Sequence, residues 1–112
     1  MASNAENWKT QIRKGYLELC ILLLIKSEKR VYGFDLLEKL SLASLEVKEG
    51  TLYPLLNRMN NDGLLSSTWD IENLKGHPRK FYSLTKEGLR FLEDMNDEFK
   101  MMVSIYKKLG SL

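Results

Sequence analysis

Nine consecutive residues, "LELCILLLI" from Leu17 to Ile25, carry one charge, Glu18, and otherwise only apolar side chains. A helix that is apolar nearly all round has to be enclosed by protein, and this run falls well short of the roughly 20 residues that span a bilayer. It predicts a central core helix over Tyr16 to Ser27, which the remainder of the 112-residue chain must cover. At 44% hydrophobic and 29% charged, the composition is that of one globular domain with no membrane segment. A domain this short is marginal by surface-to-volume scaling, so docking onto a second copy is an expected way to bury more apolar area. No N-terminal signal pattern precedes the run. The lone Cys20 cannot form an intrachain disulfide, so it is expected as a small buried hydrophobe in a protein of the reducing cytoplasm.

The other segments follow from periodicity. Ala5, Trp8 and Ile12 recur three and four apart, which predicts a short amphipathic helix from Asn4 to Lys14, separated from the core helix by Gly15. "SEKRVYG" is expected to turn the chain, and "GFDLLEKLSL" resumes helical spacing through Phe34, Leu37 and Leu40, with Leu36 widening the face. In "KEGTLYPLLNRMNNDGLL", Leu52, Leu55, Leu56 and Met59 define a fourth helix, bounded by a candidate N-cap at Gly50 and by Asn60, Asn61, Asp62 and Gly63. Pro54 is tolerated in a first turn and disruptive beyond it, so a helix that starts earlier than Gly50 would kink. After Gly63 the period becomes alternating. "LLSSTWDI" and "RKFYSL" predict a β-hairpin around the loop "ENLKGHP", and Thr85 with Glu87 opens a final helix to Leu109. Along that helix Leu92, Met95, Phe99, Met102, Tyr106 and Leu109 alternate at three and four, a stripe suited to a partner helix and expected as a dimer interface.

The fold class this order predicts is mainly α with a small β-hairpin, a winged helix-turn-helix followed by a C-terminal helix. The fourth helix would be held by its leucine and methionine ridge, leaving Thr51, Tyr53, Asn57 and Arg58 to address phosphates and base edges in a major groove. Asn and Arg suit bidentate contacts to adenine and guanine, and Lys48 at the helix N-terminus favours a phosphate. The net charge of +2 is too small to imply nucleic acid, but "KGHPRK" gathers three cations without an acid, whereas "EDMNDE" gathers four acids. Lys75, His77, Arg79 and Lys80 would then form a basic wing meeting the DNA backbone or minor groove. An ordinary solvated helix face explains either patch alone; the two in this order favour DNA. With one His and one Cys, several zinc ligands cannot be assembled within one chain, no phosphate-binding glycine loop is present, and acidic pairs such as Glu93 and Asp94 sit on an exposed helix face. No enzyme activity, cofactor or metal is expected.

The motifs "VYGFDLLEKL", "EGTLYPLLNRMNNDGLL" and "GHPRKFYSLTKEG" together resemble the PadR family of bacterial transcriptional regulators, in order and in separation, over nearly the whole chain. The resemblance implies a homodimeric repressor binding an inverted-repeat operator of double-stranded DNA. Residues 1–84 would form the DNA-binding domain, including the N-terminal helix over 4–14, and residues 85–112 the dimerisation helix. By position, Thr51, Tyr53 and Pro54 fall in the family's recognition helix, and Arg79 and Lys80 in its wing. The single C-terminal helix is similar to that of the compact subfamily. Some compact members bind flat aromatic compounds at the dimer centre with a Trp on the last helix. Here Phe99 stands at about that place, and Trp8, Ile12, Phe99 and Met102 form the candidate pocket for a small aromatic or phenolic effector, against the alternative that all four are dimer core. The rival reading from another class is a winged-helix module that binds an acidic protein partner without DNA.

Overall fold

The computed structural model describes residues 2–70 and 79–110. In chain order the elements are α1 (Asn4–Glu28), β1 (Val31–Tyr32), α2 (Gly33–Leu42), α3 (Glu49–Asn61), β2 (Leu65–Asp70), β3 (Arg79–Leu84) and α4 (Lys86–Leu109). The strands form one antiparallel sheet in the order β1-β3-β2. This is the mainly helical, winged arrangement that the order of segments predicts.

The apolar run sits where enclosure requires it. Leu19, Ile21, Leu22 and Ile25 on the second half of α1 are buried, together with Val31, Leu36 and Leu40, the α3 ridge Leu52, Leu56 and Met59, and Leu65, Tyr82 and Leu92. Burying each such aliphatic side chain stabilises the fold by about 1.5–3 kcal/mol. Cys20 is only partly buried, packed against this cluster, and the loss of hydration pushes its thiol pKa up.

Four local expectations need correction. Gly15 does not divide two helices: α1 is continuous for 25 residues, because one glycine costs only about 1 kcal/mol relative to alanine in a helix anchored by core packing on its far side. The helix opens with the Ser3 hydroxyl accepting the Glu6 N–H at 3.1 Å. The expected turn at "RVYG" contains strand β1, which pairs Val31 with Tyr82 and Tyr32 with Phe81; two residues are too few to show a period in the sequence. In α2 the core axis runs through Leu36 and Leu40 with Leu37 at the flank, and Phe34 is 65% exposed. Two residues of helix rotate a side chain by about 200°, so burying Leu36 turns Phe34 away. Finally, the N-cap of α3 is Lys48 rather than Gly50. Pro54 therefore lies inside the helix and leaves the Gly50 carbonyl without its helical donor. Both residues are exposed, so water can donate instead.

The far end of α3 closes as its sequence predicts. Gly63 adopts φ +79°, its N–H bonds to the Asn60 carbonyl at 3.1 Å, and the Leu64 N–H reaches Met59 at 3.0 Å. This end is joined to the start of α4. The Thr85 hydroxyl donates to the Gly63 carbonyl at 2.6 Å and accepts the Gly88 N–H at 3.0 Å, while the Thr85 N–H donates to Leu64 at 3.1 Å. The two backbones touch here: a Cβ on Gly88 would stand 1.9 Å from the Leu64 carbonyl oxygen.

A Gly88→Ala substitution should therefore reverse the usual helix preference. Alanine ordinarily gains about 1 kcal/mol over glycine in a helix, but the clash should leave a net destabilisation of about 2 kcal/mol. Thermal unfolding should show a midpoint lower by roughly 8–16 °C. An unchanged or higher midpoint would mean that the approach of Leu64 is not tight.

Candidate nucleic-acid interface

The buried ridge of α3 fixes what its other faces can do. With Leu52, Leu56 and Met59 inside, Thr51, Pro54, Asn57 and Arg58 are exposed, and Leu55 and Tyr53 lie half-buried at the two margins. The exposed residues do not act as one set. Tyr53 and Asn57, one turn apart, open onto a groove of about 750 Å³ shared with Tyr32, Gly33, Phe34 and Asp35 at the start of α2 and with Trp69, Arg79, Lys80 and Tyr82 on the wing. Thr51, Pro54 and Arg58 open on the other side, onto a groove of about 340 Å³ against Lys14, Leu17 and Glu18 of α1.

Two predicted readers are more engaged than the sequence implies. Tyr53 is not wholly outward. Its ring passes Gly33 so closely that a Cβ there would meet Tyr53 Cε1 at 3.0 Å and Tyr82 Cε2 at 3.4 Å. Burial raises the hydroxyl pKa of both tyrosines, with a smaller contribution from Glu49 for Tyr53 and from Tyr53 for Tyr82. Arg58 is exposed but not unengaged: its guanidinium is ion-paired with the Glu18 carboxylate. Asn57 is exposed and lines the first groove. Lys48 is exposed at the start of α3, whose N-terminus has no side-chain cap.

On the wing, Arg79 and Lys80 are adjacent in β3, and both side chains reach the first groove while resting on different rings. The Arg79 guanidinium carbon lies 4.9 Å from the centroid of the Tyr32 ring, and the Tyr32 hydroxyl donates to Asp70 Oδ2 at 2.9 Å. Tyr32 in turn stacks on Phe81 with centroids 3.6 Å apart, and Arg30 covers the Phe81 ring at 3.4 Å. Lys80 Nζ lies 5.5 Å from the Trp69 ring, its cross-strand neighbour, and 5.6 Å from that of Tyr82. These cation–π contacts hold both charges near their strands while leaving them wet. The predicted wing residues Lys75 and His77 lie outside the described residues.

Comparison with known proteins bears on the family and the fold. A family model described as the PadR-like family of transcriptional regulators matches residues 21–94, from the core of α1 into α4. The chain belongs to this family. A PadR-like transcription factor from Bacteroides fragilis is 44% identical, with a TM-score of 0.79 over 93% of this chain and 99% of that one. A PadR family regulator from Eggerthella lenta is 31% identical, with a TM-score of 0.82 over 94% of this chain and 90% of that one. The curated transcriptional regulator Rv3488 of Mycobacterium tuberculosis is 37% identical over 62 residues, which make up 55% of this chain and 56% of that protein. The match to that curated relative thus spans little more than half of its length.

The second set of candidates in this PadR-family chain lies on α1 and α4. Ile12, Phe99 and Met102 line a mainly apolar groove of about 340 Å³, together with Tyr16, Leu19 and Met95. Trp8 does not line it and is 61% exposed, one turn further out on α1. In the stripe assigned to a partner helix, Leu92 is a correction: it is 2% exposed within the chain's own core, because the start of α4 packs against α1 and the sheet. Met95 is half-buried against that core, whereas Phe99, Met102, Tyr106 and Leu109 are exposed. Among the described residues no cluster of acidic, His and Cys side chains could hold a metal ion, and no helix is long and apolar enough to cross a membrane.

Three residues around the wing groove, Tyr32, Asp70 and Trp69, escape a reading by periodicity, and a fourth, Phe34, is placed by it on the core face and instead lines the groove. The signal for Trp69 is present, since alternation in the hairpin puts it opposite Lys80. Tyr32 and Asp70 meet only through the three-stranded sheet, 38 residues apart.

The raised tyrosine pKa values give a pH dependence of defined sign. A folded-state value above the ordinary 10.0 means that the native state holds the proton more tightly, so the contribution of Tyr82 is complete below pH 10 and is lost as pH rises beyond it. Denaturant titrations should show stability falling above about pH 10, with a shallower fall in Tyr82→Phe. Equal slopes for the two proteins would show that Tyr82 is not the group responsible.

Proposed function

We propose that this PadR-family regulator is a homodimeric repressor, which grips a palindromic double-stranded DNA operator with α3 and the wing. The observation that carries this reading is the shared groove. Tyr53 and Asn57 of α3 and Arg79 and Lys80 of β3 open onto one concave surface, with groups suited to reading bases and to neutralising phosphates side by side. Lys48, Thr51 and Pro54, at the start of the same helix, are proposed as its further DNA-facing residues, with Lys75 and His77 completing the wing. In this reading residues 1–84 are the DNA-binding domain and residues 85–112 the assembly helix, in a protein of the cytoplasm.

The dimer is supported by surface that one chain leaves uncovered. Trp8 and Ile12 on α1, and Phe99, Met101, Met102, Ile105, Tyr106 and Leu109 on α4, are exposed apolar side chains on two neighbouring arms. The radius of gyration is 16.1 Å, against about 13 Å for a compact domain of this length. Such arms stay apart in water only at the expense of their apolar area, and a second copy would cover them. Two copies so joined would present their α3 helices to successive major grooves roughly 34 Å apart. The groove at Ile12, Phe99 and Met102 is the proposed place for a small aromatic effector that releases the DNA, with Trp8 at its margin.

Fluorescence anisotropy with duplex from the promoter upstream of the protein's own gene tests the DNA reading. A discrete, competable complex that weakens steeply with salt is expected, and transcription from that promoter should fall when the protein is added. Arg79→Ala and Lys80→Ala should each lower affinity for every sequence and reduce the log–log salt slope by about one. Asn57→Ala should relax preference at one base position. Salt-independent binding, or no competable complex, would instead favour a protein-binding module. In sedimentation, Phe99→Asp should shift the protein from dimer to monomer. Planar phenolic compounds should quench Trp8 and release DNA; if neither occurs, the effector part of the proposal fails.

A further inference from the structure

Arg58 stands where a base-reading guanidinium is expected, yet its charge is already used. It forms an ion pair with Glu18, 40 residues earlier on α1, at the edge of the groove that α1 and α3 share. The Glu18 side chain is 24% exposed, the less exposed member of the pair, and it is the one charge within the apolar run that enters the core. A second α1 carboxylate, Glu28, pairs with Lys39 of α2 at 3.0 Å. Two acids ten residues apart on one helix therefore hold the two helices of the helix-turn-helix. Pro54 and Thr51 share the Arg58 side of α3, so this face is directed along α1, whereas Asn57 and Tyr53 face the wing.

We infer that Glu18 and Arg58 are positioning residues for DNA recognition. Glu18 holds the guanidinium away from the duplex and sets the angle at which α3 presents Asn57, so that Arg58 acts through the pose of the helix and does not neutralise a phosphate or read guanine. The inference rests on the DNA-binding reading above. It also makes α1 the connecting member between the recognition helix and the α1–α4 groove, since Ile12 and Glu18 lie on the same rigid helix within two turns.

A double-mutant cycle decides between positioning and direct contact. Glu18→Gln, Arg58→Gln and the double variant would be compared with the full, unaltered chain on a duplex that the unaltered chain selects from a random library, and on a scrambled duplex of equal length. Thermal unfolding would verify that each variant is fully folded at the assay temperature. An exposed ion pair contributes little, so each single variant should lose roughly three- to fivefold in the ratio of selected to scrambled affinity. The double variant should lose no more than the worse single one, and Arg58→Gln should keep the salt slope of the unaltered chain. Losses that multiply, or a slope reduced by about one in Arg58→Gln, would overturn the inference and return Arg58 to the DNA. Failure of the unaltered chain to select any duplex would overturn the DNA reading itself, an outcome distinct from either result of the cycle.

Discussion

The rest of the molecule is arranged around the need to keep water off the second half of α1. Ile21, Leu22 and Ile25 have no exposed surface, and their cover is drawn from every other helix and from the sheet. Each covering element must turn an apolar ridge inward, and in a helix that choice also fixes what points outward. For α3, placing Leu52, Leu56 and Met59 against the core leaves Asn57 and Pro54 exposed, on different sides of the helix. The orientation of α3 is thus a consequence of hydrophobic burial before any polar contact is considered.

Polar contacts then refine that orientation at two points. The Gly63–Thr85–Gly88 junction ties the end of α3 to the beginning of α4, with a backbone approach that only glycine permits at position 88. The Glu18–Arg58 ion pair ties the side of α3 to α1. Between them the helix is held along one flank and at its C-terminal end, leaving its wing side open. On that side Tyr32, contributed by the two-residue strand β1, links Asp70 and Arg79 of the two wing strands through a hydrogen bond and a ring contact.

The two ends of the chain follow a different logic. The first turns of α1 and the last turns of α4 continue as regular helices beyond the core that nucleates them, so their apolar stripes emerge into solvent. The same α4 stripe begins inside, at Leu92, and finishes outside, at Leu109, which is 84% exposed. One periodic pattern therefore serves intrachain packing at its start and is available for assembly at its end.

The sequence by itself determined the helix and hairpin order, the inner ridge of α3, the left-handed stop at Gly63 and the motifs that resemble the PadR family, because each is written in local periodicity or in a residue with special backbone preferences. It misjudged Gly15, whose modest helix cost is overcome by packing elsewhere, and it could not see β1, since two residues carry no period. It also could not distinguish where the α4 stripe passes from core to surface, as the spacing of three and four is the same on both sides of that point. Only the tertiary structure decided that Arg58 meets Glu18 and that Tyr32 meets Asp70, pairs separated by 40 and 38 residues. The physical reason is that a side chain's partner depends on which elements converge in space, and a charge or hydroxyl shows the same character in the sequence whether it faces water, DNA or another residue.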